Sequence, residues 1–384
     1  MAREREHVVG AGRSIQDVLD GAGDGASVCI GPDYDVSVES LPVRVEGVGV
    51  GIRGARRGPG TTRATVHNDT GEHLFHLNPG NERSPGTVIR DLSIVQTAGG
   101  NGVRIENSKF NLFANVDVDA NRVGSDDAWH FGTATDSWAN NSQVFVGCSA
   151  EGAGADGFRF GNLTHHVAMF GCTALDCGRM GVYVEGPYSF KFLGGQVEDC
   201  EEPGFRARQA DSVLVGGNTY VEGNATTAYL DDADVAFVDT GNAVLEQAWM
   251  NGESTGTAHA VTFRGTSHAG AVRHLQTDPD YDYLVYTECD DTELNRATHD
   301  LGSGVEMASV APEAARIRDR GTIVGAGSEN GGQDDLNGVD LGAVTGRYPN
   351  DVAVSDGTTA TAGLTARWLG PSGGWQPSDG SDVV

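Results

Sequence analysis

Residues 121–142, NRVGSDDAWHFGTATDSWANNS, bring together side chains able to act on a polar substrate. Asp126 and Asp127 are adjacent carboxylates. A carboxyl pair can divide into a general acid and a base or nucleophile, as glycosidic hydrolysis requires when the two groups stand about 5–9.5 Å apart. Trp129 and Trp138 offer flat apolar faces on which a sugar ring stacks, and His130 and Asp136 offer partners for hydroxyls. Asp126 and Asp127 are therefore the catalytic candidates, and Trp129, His130, Asp136 and Trp138 the candidate glycan contacts. The plainer reading is that the tryptophans pack a loop and the acids belong to a charged surface.

Other clusters carry less. His165 and His166 are adjacent, so on a strand they face opposite sides and cannot share a site; in a turn they could. Glu198, Asp199, Glu201 and Glu202 lie near Arg206 and Arg208. A bound Ca²⁺ or other cation there would need six to eight oxygens, whereas surface salt bridges need only the residues present. Cys172 and Cys177 do not have zinc-ribbon spacing, and there is no Gly-rich phosphate loop or Ser-His-Asp order.

The elements that must position these residues emerge from a repeat. Short strands opening with Gly or Ala recur as GVRI at 102, AWHF at 128, GFRF at 157, GVYV at 181, GFRA at 204 and AYLD at 228. A second strand recurs out of phase: QVFVGC at 143, VAMFGC at 167, FKFLGG at 190 and SVLVGG at 212. A period near 23 residues with Gly or Asn turns predicts an all-β parallel solenoid of about ten coils between residues 40 and 290, roughly 50 Å long at about 4.8 Å per rung. Alternation within a strand turns Val182 and Val184 inward and Tyr183 outward, which makes Tyr183 a further candidate glycan contact. Cys148 and Cys172 fall at one place in the coil, and Cys177 and Cys200 at another. They are expected as stacked core thiols, since free Cys packs as a small hydrophobe. Ahead of the coils, Ser14 is a plausible N-cap, with Ile15, Val18 and Leu19 on one face of a short helix that caps the open end.

The charge balance is lopsided. The 384 residues hold 54 acidic and 26 basic side chains, a net −28, with Lys109 and Lys191 the only lysines. Such a surface repels itself in dilute buffer and tolerates molar salt, where the Debye length is about 3 Å. The composition resembles that of proteins from salt-loving archaea and their viruses. Nucleic-acid binding is excluded on charge grounds. No run of apolar residues is long enough for membrane insertion, and the opening MAREREHVVGAG has no apolar signal core. Synthesis in the cytoplasm is expected, with release as part of a virus particle as one route out and an extracellular location as the alternative.

The order SIQDVLD, GASVCIGPDYDV, VEGVGVGIRGA and then Gly-rich coils resembles the pectin-lyase-like right-handed parallel β-helix superfamily over about residues 13–290. The ending, with DVAVSDGT and then Trp368 and Trp375, resembles the C-terminal tip of tail-fibre and spike proteins of archaeal and bacterial tailed viruses, with a hairpin turn expected at Asp356-Gly357. The resemblance implies five segments: a tail (1–12), a capping helix with first strands (13–60), the β-helix (61–299), a connector (300–340) and the tip (341–384). It also implies a virion surface protein (tailspike, tail fibre or head turret) that attaches to host surface glycan or glycoprotein, contacts other virion proteins and forms a homo-oligomer, a trimer by viral precedent. The alternative is a polysaccharide lyase or glycoside hydrolase. The residue patterns of polygalacturonase-like hydrolases and of pectate lyases are missing, which leaves Asp126 and Asp127 as the catalytic candidates.

Overall fold

The computed structural model describes residues 6–288, except 33, 56–62, 78–83, 123, 125, 133–139, 162–163, 188, 226–232, 253–258, 266–268, 278–280 and 282; beyond 288 it describes only short strands. The chain winds as a right-handed parallel β-helix. One wall is an eleven-stranded sheet that includes Phe75–Leu77, Val103–Ile105, Trp129–Phe131, Phe158–Phe160, Val182–Glu185 and Phe205–Arg208. A 22-stranded sheet forms the rest of the circumference, as in Asn140–Val146 followed by Ser149–Glu151.

Alternation explains why these segments are rungs. Val182 and Val184 are buried, and so are the residues beside them on the flanking rungs, Phe158 and Phe160 before and Phe205 and Ala207 after. Aromatic rings stack along the bore: Phe113 on Phe145 at 4.9 Å, Trp129 on Phe158 at 5.7 Å, and Phe131 on Phe160 at 4.6 Å between centroids. Such offset and edge contacts add to the burial of large apolar area that drives folding. Cys148 and Cys172 sit on adjacent levels, with Thr173 N donating to Cys148 O at 2.9 Å; Cys177 and Cys200 do likewise, through Glu201 N and Cys177 O at 3.0 Å. All four thiols are buried and free.

Each coil bends at a residue of positive φ, within one long strand or between two shorter ones. Asp91, Asn115, Gly147, Gly171, Gly194, Gly217, Gln247 and His274 occupy that place on successive coils. The left-handed region is open to Gly and tolerated by Asn and Asp, which fits six of these eight positions; Gln247 and His274 adopt it as well. At the open end, Ser14 caps the helix Ile15–Ala22, accepting from Asp17 N at 3.1 Å, and Ile15, Val18 and Leu19 close over the bore.

Four sequence expectations are corrected. The first rung precedes the helix: His7–Val9 lies within the expected tail and pairs with Val28–Ile30. The segment AYLD lies outside the described residues, and the rung after Phe205–Arg208 is Ala233–Val238. The fourth copy of the second strand starts at Val213, which pairs with Phe190. The ladder also runs past 299, since Glu306–Val310 pairs with Tyr283–Thr287 and Ile317–Asp319 with Thr292–Asn295. Val352–Ser355 and Thr365–Trp368 pair antiparallel, and Asp356-Gly357, where the hairpin turn was expected, lies outside the described residues.

Candidate functional site

The outward positions of the eleven-stranded sheet form one row. Strand register places Arg44, His76, Arg104, His130, Arg159, Tyr183 and Arg206 on consecutive rungs, at the middle position of each strand. Four are Arg, two His and one Tyr, and none is acidic, although acids outnumber bases about two to one in the chain. At about 4.8 Å per rung the row spans roughly 29 Å. The next two members, Ala236 and Thr262, are buried, which ends the accessible stretch at Arg206.

A second row, three residues earlier on each rung, holds the first in place. Asn101 N donates to His73 Nδ1 at 3.0 Å, and Asn101 Nδ2 donates to Asp127 O at 2.7 Å. Asp156 N donates to Asp127 Oδ1 at 3.0 Å, and Met180 N to Asp156 Oδ1 at 3.3 Å. Each polar side chain thus satisfies a backbone group of the next coil, as buried polar groups must.

Within this frame His130 Nδ1 lies 2.6 Å from Asp127 Oδ2. The carboxylate fixes the ring and directs Nε2, the other nitrogen, as the group available for proton transfer. Arg159 is the next rung and Tyr183 the one after. Arg159 and Arg206 stand over the Tyr183 ring at 5.5 and 6.0 Å, as cations do on an aromatic face. Burial, with Glu185 nearby, raises the Tyr183 phenol against the opposing arginines, so it stays protonated. Asp156 is fully buried with Arg159 Nη1 3.5 Å from Oδ2 and Arg179 Nε 3.7 Å from Oδ1. Burial and the neighbouring Asp127 push it up to about 7, against the pull of Arg179 and Arg159. On the preceding rungs burial and Arg104 lower His73 to about 4, which keeps it neutral. Its Nδ1 accepts from Asn101, so its hydrogen is on Nε2, 3.2 Å from Arg104 Nη1.

The candidates named from sequence divide. Asp127 and His130 come together, but Asp126 and Asp127 are not a facing carboxyl pair: Asp126 Oδ2 accepts from Gly100 N at 2.9 Å, while both Asp127 oxygens are engaged and its side chain is buried. The expected stacking surface at Trp129 is overturned. Its ring is 0% exposed in the bore, with Nε1 donating to Ser149 O at 3.0 Å, because the alternation that turns His130 outward turns Trp129 inward. Tyr183 is on the outward row, largely covered by its two arginines. Asp136 and Trp138 lie outside the described residues. His165 is buried and His166 exposed, on opposite faces. Glu201 and Glu202 make surface ion pairs with Arg122 and Arg179, and among the described residues no three His, Cys, Asp or Glu converge as cation ligands.

No family model and no curated protein matches the chain. Among solved structures, an alginate lyase from Paenibacillus sp. str. FPU-7 aligns at 12% identity and TM-score 0.47, over 83% of this chain and 99% of that one. The ORF18 protein of Geobacillus virus E2 aligns at 12% identity and TM-score 0.46, over 82% of this β-helix chain and 58% of that protein. The gp42 tailspike of Acinetobacter phage vb_AbaP_AS12 aligns at 12% identity and TM-score 0.42, over 90% and 70%. These likenesses concern fold alone.

Sequence reasoning missed the Arg and His members of the row other than His130. The signal was present: GVRI, AWHF, GFRF, GVYV and GFRA share an outward third residue. Trp249 was also missed. It is the exposed tryptophan of QAWMN, where Ala248 and Met250 turn inward.

Proposed function

We propose that this chain is a surface protein of a tailed virus adapted to high salt, and that it attaches to an anionic glycan or glycoprotein of the host through the Arg/His/Tyr row. The row carries the reading. A polyanionic sugar chain lying along the rungs would meet the guanidiniums of Arg44, Arg104, Arg159 and Arg206 in turn, with Arg104 held in place by Glu106 through its Nε and Nη2. Half-buried contacts of this kind are screened far less by salt than exposed ones, which suits a protein whose acidic surface needs molar salt. Binding of polygalacturonate, a sulfated galactan and neutral dextran in 2 M NaCl tests it. Preference for the acidic polymers, lost in Arg104→Ala/Arg159→Ala, is expected; equal binding of dextran would sink the proposal.

Self-association accompanies this reading, with a trimer as the expected state. It is supported by an outward apolar face on the large sheet, where Leu112 and Val144 form one row and Val146, Phe170 and Leu193 the next. Val146 and Phe170 are each 42% exposed. Copies of so acidic a chain can meet most readily where carboxylates are sparse.

The Asp127–His130 contact favours a second reading, a lyase. His130 Nε2 would take the proton beside a uronate carboxylate, Arg159 would hold that carboxylate and stabilise the developing charge, and the Tyr183 hydroxyl would protonate the departing glycosidic oxygen, leaving a carbon–carbon double bond. Ultraviolet absorbance of the conjugated product, present in the wild type and lost in His130→Ala, would distinguish cleavage from attachment.

A further inference from the structure

Trp249 is 47% exposed on the strand Asn242–Asn251, on a different sheet from the arginine row. Leaving an indole half in water forgoes the burial that Trp129 obtains in the same molecule. Strand register sets Trp249 directly beside Tyr220, with ring centroids 5.4 Å apart and planes at 75°. In such an angled pair, the ring that presents its edge keeps both faces uncovered.

The surrounding positions form a small grid. Gln196, Tyr220 and Trp249 follow one another on successive rungs, and Glu198, Glu222 and Asn251 follow two residues along each strand. These polar groups are already oriented: the Tyr220 hydroxyl donates to Glu222, Asn251 Nδ2 donates to Glu222 Oε1 at 2.7 Å, and Gln196 Nε2 donates to Glu198. Traced back through the coils, the first row continues as Thr173, Ser149 and Asp117, and the second as Leu175, Glu151 and Asp119. Neither row holds an Arg or Lys at any of these positions.

We propose that Trp249 and Tyr220, with Glu222, Glu198 and Asn251, form a binding site for an uncharged pyranose. The C–H face of the ring lies on the indole, and its hydroxyls donate to carboxylate oxygens and accept from the Asn251 amide. A carboxylate can only accept, so it selects hydroxyl donors and repels uronate or sulfate. The site is thus opposite in sign to the arginine row and independent of it. One rod carries an acidic aromatic face for neutral sugar and a basic face for charged sugar.

The test uses the full chain in 2 M NaCl, titrated by calorimetry and tryptophan fluorescence with neutral hexasaccharides of glucose, galactose and mannose and with a hexasaccharide of galacturonate. At least one neutral hexasaccharide is expected to bind and to change the emission of the exposed indole. Trp249→Ala should weaken that binding by about tenfold or more, and Trp249→Phe by less. Glu222→Gln should reduce neutral binding and relax rejection of galacturonate at this face, measured in an Arg104→Ala/Arg159→Ala background. Melting curves check that each variant is folded. Arg159→Ala should leave neutral binding unchanged, so failure of the arginine row and failure of this site are separable. Absence of binding by all three neutral hexasaccharides, or equal affinity in folded Trp249→Ala, overturns the proposal.

Discussion

Asp127 Oδ2 lies 2.6 Å from Nδ1 of His130, while Oδ1 of the same carboxylate accepts Asp156 N from the next coil at 3.0 Å. One side chain therefore orients the imidazole and ties two rungs together. Asp127→Asn keeps an acceptor for one of these contacts, whereas Asp127→Ala removes both and leaves a buried N–H unpaired. The alanine variant should lose about 1–3 kcal/mol of stability, measured by denaturant unfolding in molar salt. Nitrogen chemical shifts of His130 should show mixed tautomers in both variants; an unchanged single tautomer would remove Asp127 from the orienting role.

Stability should fall as pH rises from about 4 to about 7. Asp156 and Asp234 both have folded-state values pushed up to about 7 from an ordinary 3.8, each chiefly by burial. A carboxyl with a raised value binds its proton more tightly folded than unfolded. Its stabilising contribution is full below the unfolded value and is lost as pH climbs through the folded one. Each proton gives a slope of up to about 1.4 kcal/mol per pH unit inside that window. Asp156→Asn should reduce the slope and Asp156→Asn/Asp234→Asn should flatten it, as read from melting temperatures at constant salt.

Phe170→Asp should abolish self-association without unfolding the rod. Phe170 stands outside the bore, so the change costs no core packing, but it puts a carboxylate on the apolar face of an already acidic chain. Light scattering in 2–3 M NaCl should report a fall in molar mass to that of one chain. An oligomer that survives with its mass unchanged would move the contact elsewhere.

The stacked thiols should be silent in the folded protein. Cys148, Cys172, Cys177 and Cys200 are buried, and burial is the first cause raising Cys148 and Cys200. A disulfide reagent cannot reach thiols enclosed in the bore, so it should find none of these four until denaturant is added. Cys172→Ser should destabilise more than Cys172→Ala, because a hydroxyl in the bore is costlier to desolvate than a methyl.

Much of this was legible from alternation and period. GVYVEG gave the inward valines and the outward Tyr183, and the cysteines one coil apart marked equivalent levels. Trp129 was misplaced although DDAWHF carries the same outward third position as NGVRI and DGFRF, which turns His130 out and Trp129 in. The Asp127–Asp156 contact was hidden for a different reason. It spans 29 residues and depends on how long the intervening coil is, which local spacing does not specify. The rung at Ala233–Val238 was missed likewise, since AYLD mimics the repeat six residues too early.

The corner at Gly147–Cys148 and the one at Gly171–Cys172 are interchangeable joints, because Ser149 and Thr173 already occupy the same place on their levels. Excising residues 149–172 would bring Cys148 to Thr173 with both neighbouring walls still in step. The molecule would come out one storey shorter, and the guanidinium of Arg159 would leave with it. Reach and valence are therefore counted in whole storeys, and natural variants of this rod are expected to differ by complete turns rather than by fractions of one.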